Sequence, residues 1–383
     1  MGKLKNIIFN KLTCLLTGVY FLISCVEPYE INFKSGDKFL IIDGKIDDSE
    51  KEKYITIRRS VINNSNHPDF FPEDSAKVQI IENGSKIISA TNSAQGLYFL
   101  PVGFKAKIGS TYQLVVSLKN GEKYESSIET MKNTPEIKGH TVKFNEEAIK
   151  SGDKRYPGHT VYVDTYDNPE KGDNYMWTYR IFERQAFCIS CYESIYMTSP
   201  APLGRCLPVA SLFQTGNTYD YFCSGNCWEI LNSSELNIMS DRYSNSLEIK
   251  NRLIAKVPFY SFSGFVIEIT QQNIDEKAFR YLKILLEQNQ TNGTLADSPP
   301  AALIGNIKNI NNKSEIVGGY FMVANSSVKS IWVPRNYTGS PNPIGLLNGR
   351  IVNPEPSAPS RPPVAPCVKS KTRTPLAPEG WPL

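Results

Sequence analysis

Short runs of alternating apolar and polar residues, separated by tight-turn dipeptides, recur from Lys38 to about Met131 and constrain this half of the chain most strongly. Asn83-Gly84 and Asn120-Gly121 each separate two such runs. Asn-Gly supplies the two positive-φ positions of a type I′ turn, so each dipeptide predicts a β-hairpin. Two hairpins so close together, with a strand every eight to twelve residues, indicate an antiparallel sandwich of immunoglobulin or prealbumin type, which we place at residues 25–134.

The following stretch, residues 135–340, has longer and more aromatic strand patterns than the first. The clearest are Thr160–Asp164, Tyr175–Phe182, Gly264–Thr270 and Gly318–Ala324. Aromatic residues make up 11% of the chain, a usage that favours strands over helical bundles. The expected fold is therefore mainly β, with an N-terminal immunoglobulin/prealbumin-like sandwich followed by a larger antiparallel β domain.

One helix is predicted, and we expect it to dock on the sheet of the larger domain. Asn273 is placed to cap it, and Glu276 follows three residues later, as in a capping box. Gly293 follows the predicted end. The apolar face of this helix consists of Ala278, Phe279, Leu282, Leu285 and Leu286.

The N-terminus reads as a secretory signal. A basic start is followed by the apolar stretch Leu12–Ile23, which at 1.5 Å per residue is too short to span about 30 Å of hydrocarbon. The stretch ends in Leu22-Ile23-Ser24-Cys25, which is similar to a bacterial lipobox. We predict that residues 1–24 are removed and that acyl chains on Cys25 hold the protein on a membrane. The alternative is an ordinary signal peptide that happens to meet a cysteine.

Six cysteines remain once Cys14 leaves with the signal and Cys25 is acylated. They are Cys188, Cys191, Cys206, Cys223, Cys227 and Cys367. An even number in an oxidising compartment predicts disulfides, although six cysteines allow 15 pairings and the connectivity stays open. Two short cysteine pairs, 188/191 and 223/227, also leave a four-thiolate zinc site or a redox role as alternatives.

Charge and motifs argue against several functions. Without the three lysines of the signal, the chain has 39 basic and 38 acidic residues. This near-neutral balance gives no excess positive charge for binding nucleic acid. The sequence contains no histidine pair at metal-ligand spacing and no recognisable nucleophile motif, so we expect no catalytic site, no metal and no cofactor. The acidic loop Asp167–Asn174 could supply oxygen ligands to calcium but is more typical of a hairpin turn.

Five of the six cysteines lie between residues 188 and 227, where apolar periodicity is poor. We therefore expect this stretch to be a disulfide-linked insertion that has no hydrophobic core of its own. Aromatic side chains of this stretch are the candidate binding surface, with cross-strand packing as the alternative. They are Tyr192, Tyr196, Tyr219, Tyr221, Phe222 and Trp228. The tail, residues 341–383, carries 11 of the 25 prolines and should be extended or disordered except where Cys367 ties it down.

Several short segments carry a resemblance. In the second half they are Asn226–Glu229, Ile267–Gln272, Ala278–Lys283, Ala302–Ile307 and Ile316–Phe321; in the first half they are Cys25–Pro28, Ile42–Ile46, Gly96–Tyr98 and Gly121–Ser126. Together they resemble the Bacteroidota lipoprotein family known as domain of unknown function 4249. The resemblance implies an outer-membrane lipoprotein, often encoded beside TonB-dependent transporters, and it implies no catalytic residue. It also implies a closing cysteine and Pro-x-x-Trp, which Cys367 and Pro378–Trp381 fit, although the long proline insert before Cys367 departs from the family.

We therefore expect a non-catalytic lipoprotein on the periplasmic face or the cell surface of the outer membrane. It would assist nutrient uptake by capturing a glycan, peptide or small molecule, or by associating with a TonB-dependent transporter. The alternatives are a secreted lipid-anchored hydrolase and an adhesin or structural envelope protein. An enzyme should gather titratable groups in one pocket, whereas a capture protein should present an exposed aromatic or polar cleft.

Overall fold

The computed structural model describes residues 38–62, 68–170, 172–197, 204–210, 216–290, 303–335, 341–347, 350–356 and 364–382. These ranges are mainly β with a single α-helix, which confirms the predicted fold class. The predicted signal peptide and Cys25 lie outside the described residues. No helix in the described ranges is long and apolar enough to cross a membrane.

Two sheets form the N-terminal sandwich. One contains β1 (Lys38–Asp47), β2 (Tyr54–Ile62), β3 (Pro68–Pro72), β6 (Thr91–Asn92), β7 (Leu97–Phe99), β23 (Val317–Gly318) and β24 (Phe321–Ala324). The other contains β4 (Lys77–Glu82), β5 (Lys86–Ser89), β8 (Thr111–Ser117), β9 (Lys123–Ser126), β10 (Glu129–Thr130) and β22 (Ile307–Asn309). Alternate residues of each strand face inward, so side chains such as Ile42, Ile57, Ile80 and Leu114 form one buried core.

The first hairpin turn has the predicted geometry and the second does not. Asn83 and Gly84 both have positive φ, at 52° and 71°. At the second turn only Gly121 does, at 91°, and its N–H donates to the Leu118 carbonyl at 3.0 Å. That pattern is a type I turn followed by a left-handed glycine, so the prediction of a type I′ turn at Asn120-Gly121 is wrong although the hairpin itself forms.

The sandwich does not follow the expected division at residue 134, because strands from far along the chain complete both of its sheets. β23 and β24 pair in parallel with β1, and β22 pairs antiparallel with β9. Residues 307–324 therefore belong structurally with the first unit. The chain leaves the N-terminal sandwich, builds the second unit and returns.

The second unit is another two-sheet sandwich. One sheet has three strands, β11 (Ile137–Ser151), β12 (Lys154–Tyr166) and β20 (Glu248–Pro258). The other has β13 (Asn174–Arg184), β18 (Trp228–Asn232), β19 (Asn237–Ser240), β21 (Phe265–Ile274), β25 (Ser326–Val333) and β26 (Arg373–Thr374). Its core includes Trp177, Val161 and Ile267, all fully enclosed.

The helix, α1 (Glu276–Gln290), begins after Asp275, whose carboxylate accepts the Ala278 N–H at 2.6 Å. The predicted cap at Asn273 is wrong, because Asn273 still pairs with Tyr175 in the sheet. The docking prediction is correct: Ala278 and Leu282 pack with side chains of both sandwiches. α1 therefore lies at the junction of the two units.

The tail is extended in residues 364–382, but it is paired and packed rather than disordered. β26 pairs with β18 at the edge of the large sheet, and the Trp381 ring meets the edges of Trp228 and Trp332 at centroid distances of 5.6 and 4.8 Å. The end of the chain thus closes the second unit.

Candidate functional site

Two short hairpins project from the second unit, between β13 and β18. They are formed by β14 (Phe187–Tyr192) with β17 (Thr218–Phe222) and β15 (Ser194–Met197) with β16 (Arg205–Pro208). We call the described residues of 187–223 the stapled head. Three disulfides hold it: Cys188–Cys223, Cys191–Cys206 and, at its base, Cys227–Cys367. The prediction of disulfides is confirmed.

The stapled head has a small core, contrary to expectation. Tyr196 and Tyr221 are buried against the disulfides, with ring centroids 5.4 Å apart, and the Tyr196 N–H donates to the Tyr221 hydroxyl at 2.8 Å. Burial raises the pKa of Tyr221 to about 12. Trp228 is buried under Trp381. As a binding surface, Tyr196, Tyr221 and Trp228 are therefore wrong candidates, because they pack the interior.

Two predicted surface residues do face solvent. Tyr192 is 63% exposed and Phe222 is 39% exposed, and the Phe222 ring packs on Phe187 at a centroid distance of 4.7 Å. Tyr219 is half-buried. The aromatic surface of the head is thus smaller than expected and lies along the β14–β17 hairpin.

Ion pairs fix the head to the tail. Arg350 of the tail donates to both oxygens of buried Asp220 in the head at 2.5 and 2.9 Å. Arg373 of the tail donates to the Cys188 carbonyl of the head, and it also pairs with Glu229 on β18 at 2.7 Å. The bidentate pair of Arg350 with Asp220 holds orientation as well as position. The exposed aromatic residues consequently sit on a rigid base.

In the acidic loop that could supply ligands to calcium, the two buried carboxylates each have a partner within the protein. Asp167 accepts the Tyr175 hydroxyl at 2.5 Å, and Asp173 pairs with Lys132 at 2.7 Å. Burial raises the pKa of Asp167. The loop therefore behaves as a structural turn between β12 and β13.

A second cluster surrounds Tyr320, and the sequence does not predict it. It depends on two close backbone approaches: a Cβ on Gly305 would lie 1.7 Å from the Gly319 carbonyl oxygen, and one on Gly319 would lie 2.2 Å from that of Ile42. Gly319 also has a φ of +89°. Only glycine fits these positions, and they bring segments of the first and last strands of the sandwich together.

Hydrogen bonds then hold Tyr320 between these segments. Its N–H donates to Asp43 at 3.2 Å, and its carbonyl accepts the Gly44 N–H at 3.1 Å. Asn306 acts like a strand partner for Phe321, accepting its N–H and donating to its carbonyl, both at 2.8 Å. The Tyr320 ring packs on Tyr281 of α1 with centroids 4.9 Å apart.

A buried acid lies behind this cluster. The Glu129 carboxylate accepts hydrogen bonds from the Ser127 hydroxyl and, at 3.0 Å, from the Asn306 amide. Burial raises the pKa of Glu129 to about 7, and the nearby carboxylate of Asp275 acts in the same direction. Glu129 is therefore a proton-binding group near neutral pH at the point where helix and sandwich meet.

Two clefts open on either side of the Tyr281–Tyr320 pair. The polar cleft, about 560 Å³, lies between α1 and β1, and Asp43 and Lys45 are among the residues that line it. Both side chains reach solvent, yet the surrounding protein reduces their hydration, which raises the pKa of Asp43 and lowers that of Lys45. Lys45 also donates to Gln272 at 2.5 Å. Opposite charges beside tyrosines suit a polar ligand with donors and acceptors.

The second opening, about 590 Å³, lies between α1 and the edge strand β22. We call it the cationic cleft, because Lys277, Arg280 and Lys308 line it. The signal for both clefts was present in the sequence, since Ile42–Ile46, Ala302–Ile307 and Ile316–Phe321 all carry the resemblance. Their meeting in space could not be read from their order.

The fold and these features define a class: a mainly β protein of two sandwiches with a disulfide-stapled head and a junction helix. The family model described as domain of unknown function (DUF4249) matches residues 26–330, and the chain belongs to this family. Cys367 and Trp381 lie beyond the matched range. No curated protein and no solved structure matches the chain.

Proposed function

We propose that this protein is an outer-membrane lipoprotein, anchored through Cys25, that assists nutrient uptake by binding a TonB-dependent transporter or its ligand and not by catalysis. The observation that carries this proposal is the stapled head. Three disulfides support an extracytoplasmic location, because such bonds persist in oxidising compartments.

The head is suited to binding because its surface is fixed before any partner arrives. The disulfides, the Arg350–Asp220 ion pair and the hydrogen bond from Arg373 to the Cys188 carbonyl order the backbone of the head. Tyr192 and Phe222 present aromatic area on it. A preorganised aromatic surface loses little conformational entropy on association. We infer that the face of the β14–β17 hairpin is the contact surface.

Affinity capture from solubilised outer membranes of the native host tests the proposal. Wild-type protein should retain a TonB-dependent transporter, and Tyr192→Ser/Phe222→Ser should lose most of it, because two aromatic anchors commonly account for several kcal/mol. Ile87→Ser/Val102→Ser is the matched control, since these exposed apolar residues lie on the N-terminal sandwich. Point variants are preferable to deleting residues 192–222, which would remove Cys206, the partner of Cys191.

Two results would contradict the proposal. Equal capture by the head variant and the control would remove the head from the interaction. Turnover of glycans or peptides by the purified protein at enzyme-like rates would favour the hydrolase alternative.

A further inference from the structure

We propose that the cationic cleft binds a small anionic amphiphile, with an apolar chain in the cleft and a carboxylate between Lys277 and Lys308. This site is separate from the stapled head, and its occupant differs in kind from a transporter. The proposal follows from the shape of the cleft, the composition of its walls and the balance of charge at its rim.

One wall of the cleft is a helix face that borders the packed junction and reaches it only through Tyr281. Ala278 and Leu282 point into the packed junction, whereas Lys277, Arg280, Tyr281 and Ile284 line the cleft. The spacing i, i+3, i+4, i+7 places these four side chains on one side of α1. The helix thus has a second, partly apolar face that is turned toward the N-terminal sandwich.

The opposite wall is the segment that forms the edge strand β22. Alternate residues of a strand face the same side, and Ile304, Asn306, Lys308 and Ile310 all line the cleft. Ile304 is 64% exposed and Ile310 is 44% exposed. Isoleucine side chains on both walls therefore present apolar surface to the opening, and about 590 Å³ is within the range of small-molecule sites.

The charged side chains at the rim of the cationic cleft favour an anionic ligand. Arg280 is paired with Glu276, and Glu125, the acid that lines the cleft, is paired with Lys123 at 2.6 Å. Neither Lys277 nor Lys308 forms a salt bridge in the described part of the chain; Glu125 lies opposite Lys308 on the neighbouring strand β9, but its salt bridge is to Lys123. They stand on opposite walls, one on α1 and one on β22, so a single carboxylate between them would face both.

Calorimetric titration of the full chain carrying Cys25→Ala, which needs no detergent, tests the proposal. Dodecanoate, kept below its micellar concentration, should bind at one site per chain about tenfold more tightly than dodecanol, because two lysines contribute modestly to an exposed ionic contact. Dodecylammonium should bind more weakly than either. Lys277→Gln/Lys308→Gln should bring dodecanoate down to the affinity of dodecanol.

Matched variants separate this site from its neighbours. Lys51→Gln removes a charge from the polar cleft and should leave dodecanoate affinity unchanged. Ile284→Asp should abolish binding of both probes, since it places a carboxylate among the apolar residues of the cleft. Tyr192→Ser/Phe222→Ser should bind dodecanoate normally even where transporter capture is lost, so each proposal can fail without the other.

The proposal is overturned if dodecanoate shows no saturable binding, if dodecanol binds equally well to the unsubstituted cleft, or if Lys51→Gln is as damaging as the double lysine variant. Binding of an acidic peptide without binding of dodecanoate would also overturn it, because the cleft would then be a surface for a protein partner.

Discussion

Arg335 and Glu183 form a two-point ion pair from which solvent is wholly excluded. Arg335 donates to the two carboxylate oxygens at 2.6 and 2.8 Å, and both side chains are 0% exposed. Arg335 also donates to the carbonyls of Pro258 and Ser261, and its guanidinium lies over the Phe265 ring at 4.6 Å. The pair therefore joins the end of β25, the end of β13 and the loop after β20.

Breaking this ion pair should be costly. Arg335→Met should lower the free energy of unfolding by about 3–5 kcal/mol, because it leaves a buried carboxylate without its counter-charge. Burial already raises the pKa of Glu183 to about 7 despite the neighbouring Arg335. Urea unfolding of the purified protein measures the change.

The double variant Glu183→Met/Arg335→Met serves as the control for that prediction. Replacing both partners by apolar side chains removes the unpaired charge, so much of the lost stability should return. If the double variant is as unstable as Arg335→Met, the loss of unfolding free energy comes from altered packing and not from the unpaired charge.

Glu129 should make stability depend on pH. Its pKa in the folded protein is about 7, against an ordinary value of 4.5, because burial and Asp275 favour the protonated form. The stability that it contributes is fully present below about pH 4.5 and is lost as the pH rises through about 7. A shift of this size corresponds to about 3 kcal/mol.

Glu129→Gln isolates that contribution, since glutamine can still accept from Ser127 and Asn306 but does not ionise. Unfolding free energies of the two proteins, measured from pH 4 to 9, should diverge as the pH rises, with the wild type losing more. Parallel curves would show that the pKa of Glu129 is the same in the folded and the unfolded protein.

Local turn chemistry and alternation were enough to predict much of the first sandwich. Val78, Ile80 and their neighbours alternate clearly, and Asn83-Gly84 has the left-handed conformation that the hairpin requires. Such signals reside in adjacent residues. They need no knowledge of the rest of the chain.

Long-range pairing could not be predicted in the same way. In the parallel pairing of β1 with β24, Gly44 lies opposite Phe321, which is 277 residues further along the chain. Neither segment contains a local signal that predicts this register. The polar and cationic clefts depend on this pairing, so the sequence does not predict them, although the segments that form them carry the family resemblance. Contacts across such distances follow from tertiary packing.

The stapled head shows a different limit. Its core comes from disulfides and from the tail, so Tyr221 is buried without belonging to any apolar repeat. The periodicity of apolar residues identifies a face that is buried against neighbouring strands or helices. It does not identify buried residues where disulfides, and not a regular apolar face, order the chain.

Removing the Cys227–Cys367 disulfide should free the tail. The variant Cys227→Ser/Cys367→Ser opens a link between residues 140 apart and should cost about 2–4 kcal/mol. Because Trp381 packs on Trp228 and Trp332, tryptophan emission should shift to longer wavelength. Cys191→Ser/Cys206→Ser, which opens a link within the head, should leave that emission unchanged; equal shifts in both variants would argue against a tail held by this bond.

The membrane anchor can be tested with two cysteines of the N-terminal segment. Cys25→Ala removes the thiol that the lipobox prediction expects to be acylated. Because several acyl chains would supply the energy of membrane binding, the variant should move from the outer-membrane fraction to the soluble fraction of the native host. Cys14→Ala is the matched control, because Cys14 lies within the signal that is removed, and that variant should fractionate as the wild type does. Retention of Cys25→Ala on outer membranes after a salt wash would contradict the lipobox prediction.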